Sequence, residues 1–387
     1  MPILLRFLFL LYVLGFFVQN PLFAQEGFDL KLGWYQFKKH RPEIRIPEET
    51  PMVFELSYRK KSDGRQGWAA RNRFPLYGIR MIYVDYENPN VGKAVGLQPW
   101  IGNNLWSINL RRQFFWQMGA GMAYYTNRYH AIYNPDQTTI STPLNVYIDF
   151  RIGYRERISE RDALNLSFGL IHFSNAATKL PNLGMNLLGG SIGYAFGGAP
   201  KNLPSVNFER KKDHENEIWA GGNIAFRHPF RHHPRFVIGN TSIHYQRYLN
   251  HQFKVGVGGS IFYEAAEKKY HRWARQWGDR GYGDYQWDEL LSAGLFFSGE
   301  WLISRLSVYF ETGWYVWGNQ RELSTFVDYA LPELFEYQIT ILNESYFQRL
   351  GLRYKFHKRG MVHVGLKSNL FVARYPEFGL NWQIFRF

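Results

Sequence analysis

The chain has 387 residues, a formal net charge of +14 and no cysteine, which excludes a disulfide framework and any thiolate metal site. The basic residues are scattered along an exported chain, which suits an anionic membrane surface and argues against nucleic acid as the partner. Aromatic residues make up 18% of the sequence, with 32 Phe, 26 Tyr and 13 Trp, many at the ends of alternating runs where interfacial girdles are expected.

Residues 1–24 carry one charge, Arg6, an apolar stretch from Phe7 to Val18, and Leu22-Phe23-Ala24 ahead of Gln25. This pattern predicts a secretory signal peptide, leaving 25–387 as the folded part. No later segment offers a run of about eighteen uncharged apolar residues, so no membrane helix is expected. Alternation is the dominant pattern instead. The segments 51–60, 74–86, 92–101, 103–111 and 113–125 group as either three or five strands. In 143–156, Leu144, Val146, Ile148, Phe150, Ile152 and Tyr154 share one face, opposite Asn145, Tyr147, Asp149, Arg151 and Arg155. The turn Ser159-Glu160-Arg161-Asp162 leads into 163–174, a loop, and 186–197, where Asn186, Leu188, Gly190, Ile192, Tyr194 and Phe196 share a face. Further strands are expected near 215–227, 235–248, 252–264, 289–302, 305–318, 345–356, 361–371 and 378–387.

Short connections (157–162, 249–251, 303–304, 357–360) alternate with longer ones (127–142, 175–185, 228–234, 265–288, 319–344). Bacterial barrels combine short periplasmic turns with long external loops. The expected fold is therefore all-β, a transmembrane antiparallel β-barrel of about fourteen strands, within a range of about twelve to sixteen. The stretch 198–214 is long and polar on the periplasmic side, and reads as a long turn or as a boundary between two smaller barrels. The last segment ends on Phe387 with Phe385 two before it, although Asn381 and Gln383 interrupt its stripe.

The chemistry is read from His172 to Asn186, HFSNAATKLPNLGMN. Leu164, Leu166, Phe168, Leu170, His172 and Ser174 are two apart, so they lie on one side of the strand. Leu164 to Ser174 spans about 33 Å of strand, and a tilt near 45° reduces that to roughly 23 Å of height. Ser174 then emerges at the outer edge of an apolar band about 25 Å tall, on the lipid side, where acyl ester carbonyls sit. His172 can take the Ser174 proton, and Asn186, with the same outward parity on the next strand, can accept the second imidazole N–H. An amide fixes the tautomer without supplying negative charge, as in Cys-His-Asn proteases. Backbone N–H groups from Asn175 to Ala177 are candidates for an oxyanion hole.

The same string resembles the signature of the outer-membrane lipid A 3-O-deacylases, an acyloxyacyl-hydrolase-like family. It matches that family's His-x-Ser-Asn, Lys-x-Pro-Asn and following Gly at His172, Ser174, Asn175, Lys179, Pro181, Asn182 and Gly184. The resemblance implies Ser174 as nucleophile, His172 as base, and Asn175 with Ala177 in the oxyanion hole. Two positions depart from the family, which has Glu at 186 and Gly at 177. Asn186 is instead similar to outer-membrane phospholipase A, whose His-x-Ser-Asn and later Asn have the same spacing. That enzyme binds calcium through its loop, whereas AATKLPNLGM contains no acid. The resemblance centres on 143–197.

The plain alternatives are a polar strand cap for His172 and Ser174, and a turn residue for Asn186. HPFRHHPR, with His228, His232 and His233, reads as an exposed basic loop rather than a metal site. The aromatic stretch from Trp273 to Trp287 either grips headgroups or packs over a barrel mouth. Asp149, Arg151 and Arg155 either line a channel or form a paired plug, and Tyr77, Tyr83 and Tyr86 either shape an acyl groove or belong to a girdle. The sequence therefore predicts an outer-membrane acyl-ester hydrolase acting on lipid A through Ser174, His172 and Asn186, with no cofactor, no metal and a homodimer as one assembly. Phospholipase A activity and a non-catalytic porin or structural barrel are the rival readings.

Overall fold

The computed structural model describes residues 26–40, 44–62, 67–109, 111–197, 216–227, 236–264, 291–318, 346–369 and 372–387. The expected signal peptide, the 198–214 connection, the HPFRHHPR loop and the Trp273–Trp287 stretch lie outside the described residues. The strands are β1 (Glu26–Phe37), β2 (Met52–Lys61), β3 (Leu76–Asp85), β4 (Lys93–Ser107), β5 (Arg112–Tyr125), β6 (Leu144–Arg157), β7 (Ala163–Ser174) and β8 (Met185–Gly197). There follow β9 (Asn216–Arg227), β10 (Phe236–Tyr248), β11 (Phe253–Glu264), β12 (Leu291–Ile303), β13 (Leu306–Gly318), β14 (Tyr346–His357), β15 (Gly360–Asn369) and β16 (Val372–Arg386). A short helix, α1 (Gly67–Arg71), lies between β2 and β3.

β1–β8 close into one antiparallel barrel, with β1 pairing β8, and β9–β16 close into a second, with β9 pairing β16. The all-β barrel class is as expected; the sixteen strands of the described residues lie at the upper end of the expected range, and they close as two smaller barrels, one of the two readings the sequence left open. Residues 51–125 form four strands where three or five were expected, and a further strand, β1, precedes them. β1 was not anticipated, because Asp29 and Lys31 alternate with Phe28, Leu30 and Leu32 and place two buried charges in the lumen. The segments 92–101 and 103–111 are largely one strand, β4, which runs through Pro99 and passes a register shift between Asn104 and Trp106. Proline contributes no amide to the ladder, and a bulge lets the strand continue beyond it. β16 also begins earlier than expected, because Glu377 points inward and is buried.

Each wall places apolar side chains outward and polar ones inward, the inverse of a soluble barrel. The first lumen holds Lys31, Glu55, Arg80, Asp149 and Arg151, all buried. Glu55 lies 3.2 Å from Lys31 Nζ and 3.0 Å from Arg80 Nε, and Arg151 Nε lies 2.7 Å from Asp149. Arg80 also pairs with Asp149 and Arg151 with Glu55. Asp149 and Arg151 thus belong to a paired plug, and Arg155, also buried, donates from Nε to Asn165 Oδ1 at 2.8 Å. The second lumen repeats the device with different residues: Arg353 bridges Glu300 at 2.9 Å and Glu311 at 2.6 Å, and Lys254 meets Glu217 at 2.6 Å. Asn381 and Gln383, which interrupt the last stripe, are buried inside this second barrel while Leu380 and Trp382 face out.

Toward the end of the first barrel where β7 finishes and β8 begins, the filling becomes apolar. Tyr35, Phe37, Ile82, Val84, Tyr125, Tyr147, Ile171, Phe173, Met185 and Leu187 form one buried cluster with Ile44, Ile46 and Ile140 from the connections. At the opposite rim, outward aromatics stack in sequence, Trp106 on Phe114 at 4.4 Å and Phe114 on Tyr154 at 5.3 Å, with Phe28 against Tyr58 and Phe196. These are the expected girdle. Tyr86 does not belong to it: its ring is buried, with its hydroxyl 2.7 Å from that of Tyr125.

Candidate active site

Along β7, Leu164, Leu166, Phe168 and Leu170 are exposed on the outer wall and His172 continues their stripe, while Ile171 and Phe173 point into the apolar cluster and are fully buried. Because successive side chains alternate, anchoring Ile171 and Phe173 fixes the outward direction of His172 and Ser174. Ser174 lies two residues beyond His172, and is itself only 7% exposed.

β8 supplies the next group by register. Asn186 is the direct cross-strand partner of His172, and Met185 and Leu187 on either side of it are buried in the cluster. The His172 Nδ1–H donates to Asn186 Oδ1 at 2.6 Å. This leaves Nε2 of His172 with its lone pair, the form a general base requires. Asn186 is therefore a strand residue with a hydrogen-bonded side chain, not a turn residue.

A residue that the sequence reading did not anticipate also enters this site. His40 follows β1, 146 positions from Asn186 in the chain, and its Nδ1 lies 3.1 Å from Asn186 Nδ2. Its other nitrogen, Nε2, is 2.9 Å from the Leu183 carbonyl oxygen. The Lys38 amide donates to the Asn186 carbonyl at 2.9 Å, and the Lys39 amide to Glu48 Oε1 at 3.0 Å, which tethers the segment. Nothing in the run Lys38-Lys39-His40-Arg41-Pro42 distinguishes it from an ordinary basic loop. Only the closure of β1 on β8 brings it to the site.

The connection from β7 to β8 is shaped by backbone conformation. Ala176 and Ala177 both adopt left-handed φ, 55° and 59°, a region that costs an L-residue roughly 1–2 kcal/mol and glycine little. Glycine at the second of these positions in the deacylase signature thus has a steric cause. Asn175 is buried, and its Nδ2 donates to Ser141 Oγ at 2.9 Å. On the return, the Leu183 and Gly184 amides donate to the Thr138 and Thr139 carbonyls at 3.2 Å each. Gly184 has φ 75°, and a Cβ there would sit 3.0 Å from His172 Cε1, so the imidazole packs directly on its α-carbon. Among the described residues no group of three His, Cys, Asp or Glu side chains is arranged to hold a metal ion.

Residues 52–195 match the family model described as Lipid A 3-O-deacylase (PagL), and residues 214–386 match that described as Acyloxyacyl hydrolase, C-terminal domain. The two matches fall on the two barrels and bear out the resemblance read from His172 to Asn186. Among solved structures, the outer membrane enzyme PagL is 16% identical, covering 43% of this chain and 98% of its own with a TM-score of 0.30. Neisserial surface protein A is 6% identical, covering 45% of this chain and 97% of its own with a TM-score of 0.31. A triple mutant of the Rhodopseudomonas blastica porin is 9% identical, covering 93% of this chain and 99% of its own with a TM-score of 0.17. No curated protein matches. The chain is an outer-membrane protein whose first barrel matches the lipid A 3-O-deacylase family and whose second matches the acyloxyacyl hydrolase C-terminal domain.

Proposed function

We propose that this protein is an esterase that removes a fatty acyl chain from lipid A in the outer leaflet, with Ser174 as nucleophile, His172 as general base and Asn186 as the group that orients the base. The observation that carries this reading is the 2.6 Å hydrogen bond from His172 to Asn186 on the lipid-facing wall, one strand step from Ser174. Ser174 Oγ attacks the ester carbonyl as His172 Nε2 takes its proton, and the tetrahedral oxyanion is held by the backbone N–H groups of Asn175 and Ala177. His172 then returns the proton to the departing alkoxide, leaving an acyl-serine. Water, deprotonated by the same nitrogen, releases the fatty acid and restores the hydroxyl. No cofactor takes part in any of these steps.

The test incubates detergent-purified protein with lipopolysaccharide and reads lipid A by mass spectrometry. Loss of one acyl chain, unaffected by a chelator and absent in Ser174→Ala, is the expected result. Asn186 favours a second reading, because the amide is the feature shared with outer-membrane phospholipase A. Release of acid from phospholipid alone, abolished by chelator, would select that enzyme and overturn lipid A as the substrate. The paired charges crossing both lumens weigh against a porin.

A further inference from the structure

We infer that His40 is a positioning residue of this site: by holding the amide group of Asn186 in one orientation, it determines which nitrogen of His172 carries the proton. This inference rests on the esterase reading above and concerns how an amide can serve where the family has a carboxylate. A carboxylate has two equivalent oxygens, and either one accepts the imidazole N–H. An amide has two unlike ends of nearly equal size, so packing alone does not choose between them. Were Asn186 turned over, its NH2 would face Nδ1 of His172, and the imidazole proton would move to Nε2. The nitrogen that must receive the Ser174 proton would then already hold one.

The contacts of His40 remove that ambiguity, and the logic begins at a backbone group whose role is fixed. The Leu183 carbonyl can only accept, so His40 Nε2, at 2.9 Å, is the protonated nitrogen. His40 Nδ1 therefore carries a lone pair, and the atom 3.1 Å from it is the Asn186 NH2. That turns Asn186 Oδ1 toward His172 Nδ1–H at 2.6 Å. One carbonyl thus sets the tautomer of two imidazoles through an intervening amide. Each part has a backbone anchor: the Leu183 N–H donates to the Thr138 carbonyl, Asn186 is fixed by its place in β8, and the segment carrying His40 is tied by the Lys38 amide to the Asn186 carbonyl and by the Lys39 amide to Glu48.

The experiment compares wild type, His40→Ala, His40→Gln, Asn186→Asp and the double variant His40→Ala/Asn186→Asp for release of fatty acid from lipopolysaccharide, with heat-modified gel mobility to confirm closed barrels. Losing one orienting hydrogen bond in His40→Ala should lower kcat by about tenfold, with KM held within about twofold because substrate contacts are untouched. Glutamine, with an acceptor and a donor spaced like the two imidazole nitrogens, should restore most of kcat. In the Asn186→Asp background, where the two ends are equivalent, removing His40 should change kcat by less than about twofold. Independently of turnover, nitrogen chemical shifts of His172 in micelles should report protonated Nδ1 in wild type and a mixture of tautomers in His40→Ala. Unchanged kcat and tautomer in His40→Ala overturns the inference, as does an equal loss in both backgrounds, which would mark a merely structural residue. A wild type that releases no acid from any lipid overturns the esterase reading and this inference with it.

Discussion

The two barrels solve the same structural problem and differ in what their outer walls carry. Each closes eight antiparallel strands around ion-paired side chains, Glu55, Arg80, Asp149 and Arg151 in the first and Glu300, Glu311, Arg349 and Arg353 in the second. The first has a large apolar cluster at one end of its lumen, and His172 and Asn186 stand on the outside of the two strands that the cluster grips. Among the described residues of the second, the buried apolar groups are small, such as Phe262, Phe296 and Phe347, and the two histidines of its strand interiors, His244 and His363, are buried inside the lumen. Closure and charge pairing are thus what the fold requires. The face proposed as catalytic is an addition, and it lies directly outside the buried apolar cluster.

Changes at the reactive face should break this contrast most severely. Ser174→Ala is expected to lower acyl release by on the order of 10³-fold or more while leaving the unfolding transition in place. Thr312→Ala, on the partly exposed face of β13 in the second barrel, should leave the rate unchanged in the same lipid A assay. Gly184→Ala combines a 3.0 Å contact on His172 with φ 75°, and should reduce kcat by about tenfold or more and destabilise by about 1–2 kcal/mol. Loss of rate without any change in lipid A specificity would place the damage at the imidazole.

Charge pairing can be tested in the second barrel. Arg353→Met leaves Glu300 and Glu311 without that partner, and breaking a buried pair from one side costs about 3–5 kcal/mol. Its denaturation midpoint should fall while the rate per folded molecule holds. A rate that falls in step with stability would mean that the second barrel supports the chemistry directly. The smallest expected effect is from Ala177→Gly, which relieves a left-handed φ of 59° and should stabilise the protein by about 1 kcal/mol or less, offset in part by the greater freedom of glycine in the unfolded chain. A refolding titration would resolve it.

How much of this was legible in the sequence depended on whether the cause was local. β6 and β7 were read within a residue, because their outward residues are continuously apolar and their inward ones polar or small. The shared outward parity of His172 and Asn186 was legible in the sequence, and their direct pairing follows from the register of β7 on β8. β1 was hidden by lumenal charges that look like surface, and β4 by Pro99 and Asn103-Asn104, which look like a turn but lie within a strand. His40 could not be read at all, because its partners come from the other end of the barrel's chain and meet it only when β1 closes on β8. The sequence marked the face proposed as catalytic; barrel closure brings His40 to it.

The salt-bridged interior of each barrel has a consequence for ion passage. A small ion entering either lumen would have to displace charges that already neutralise one another, so the purified protein is expected to add little conductance to a planar bilayer.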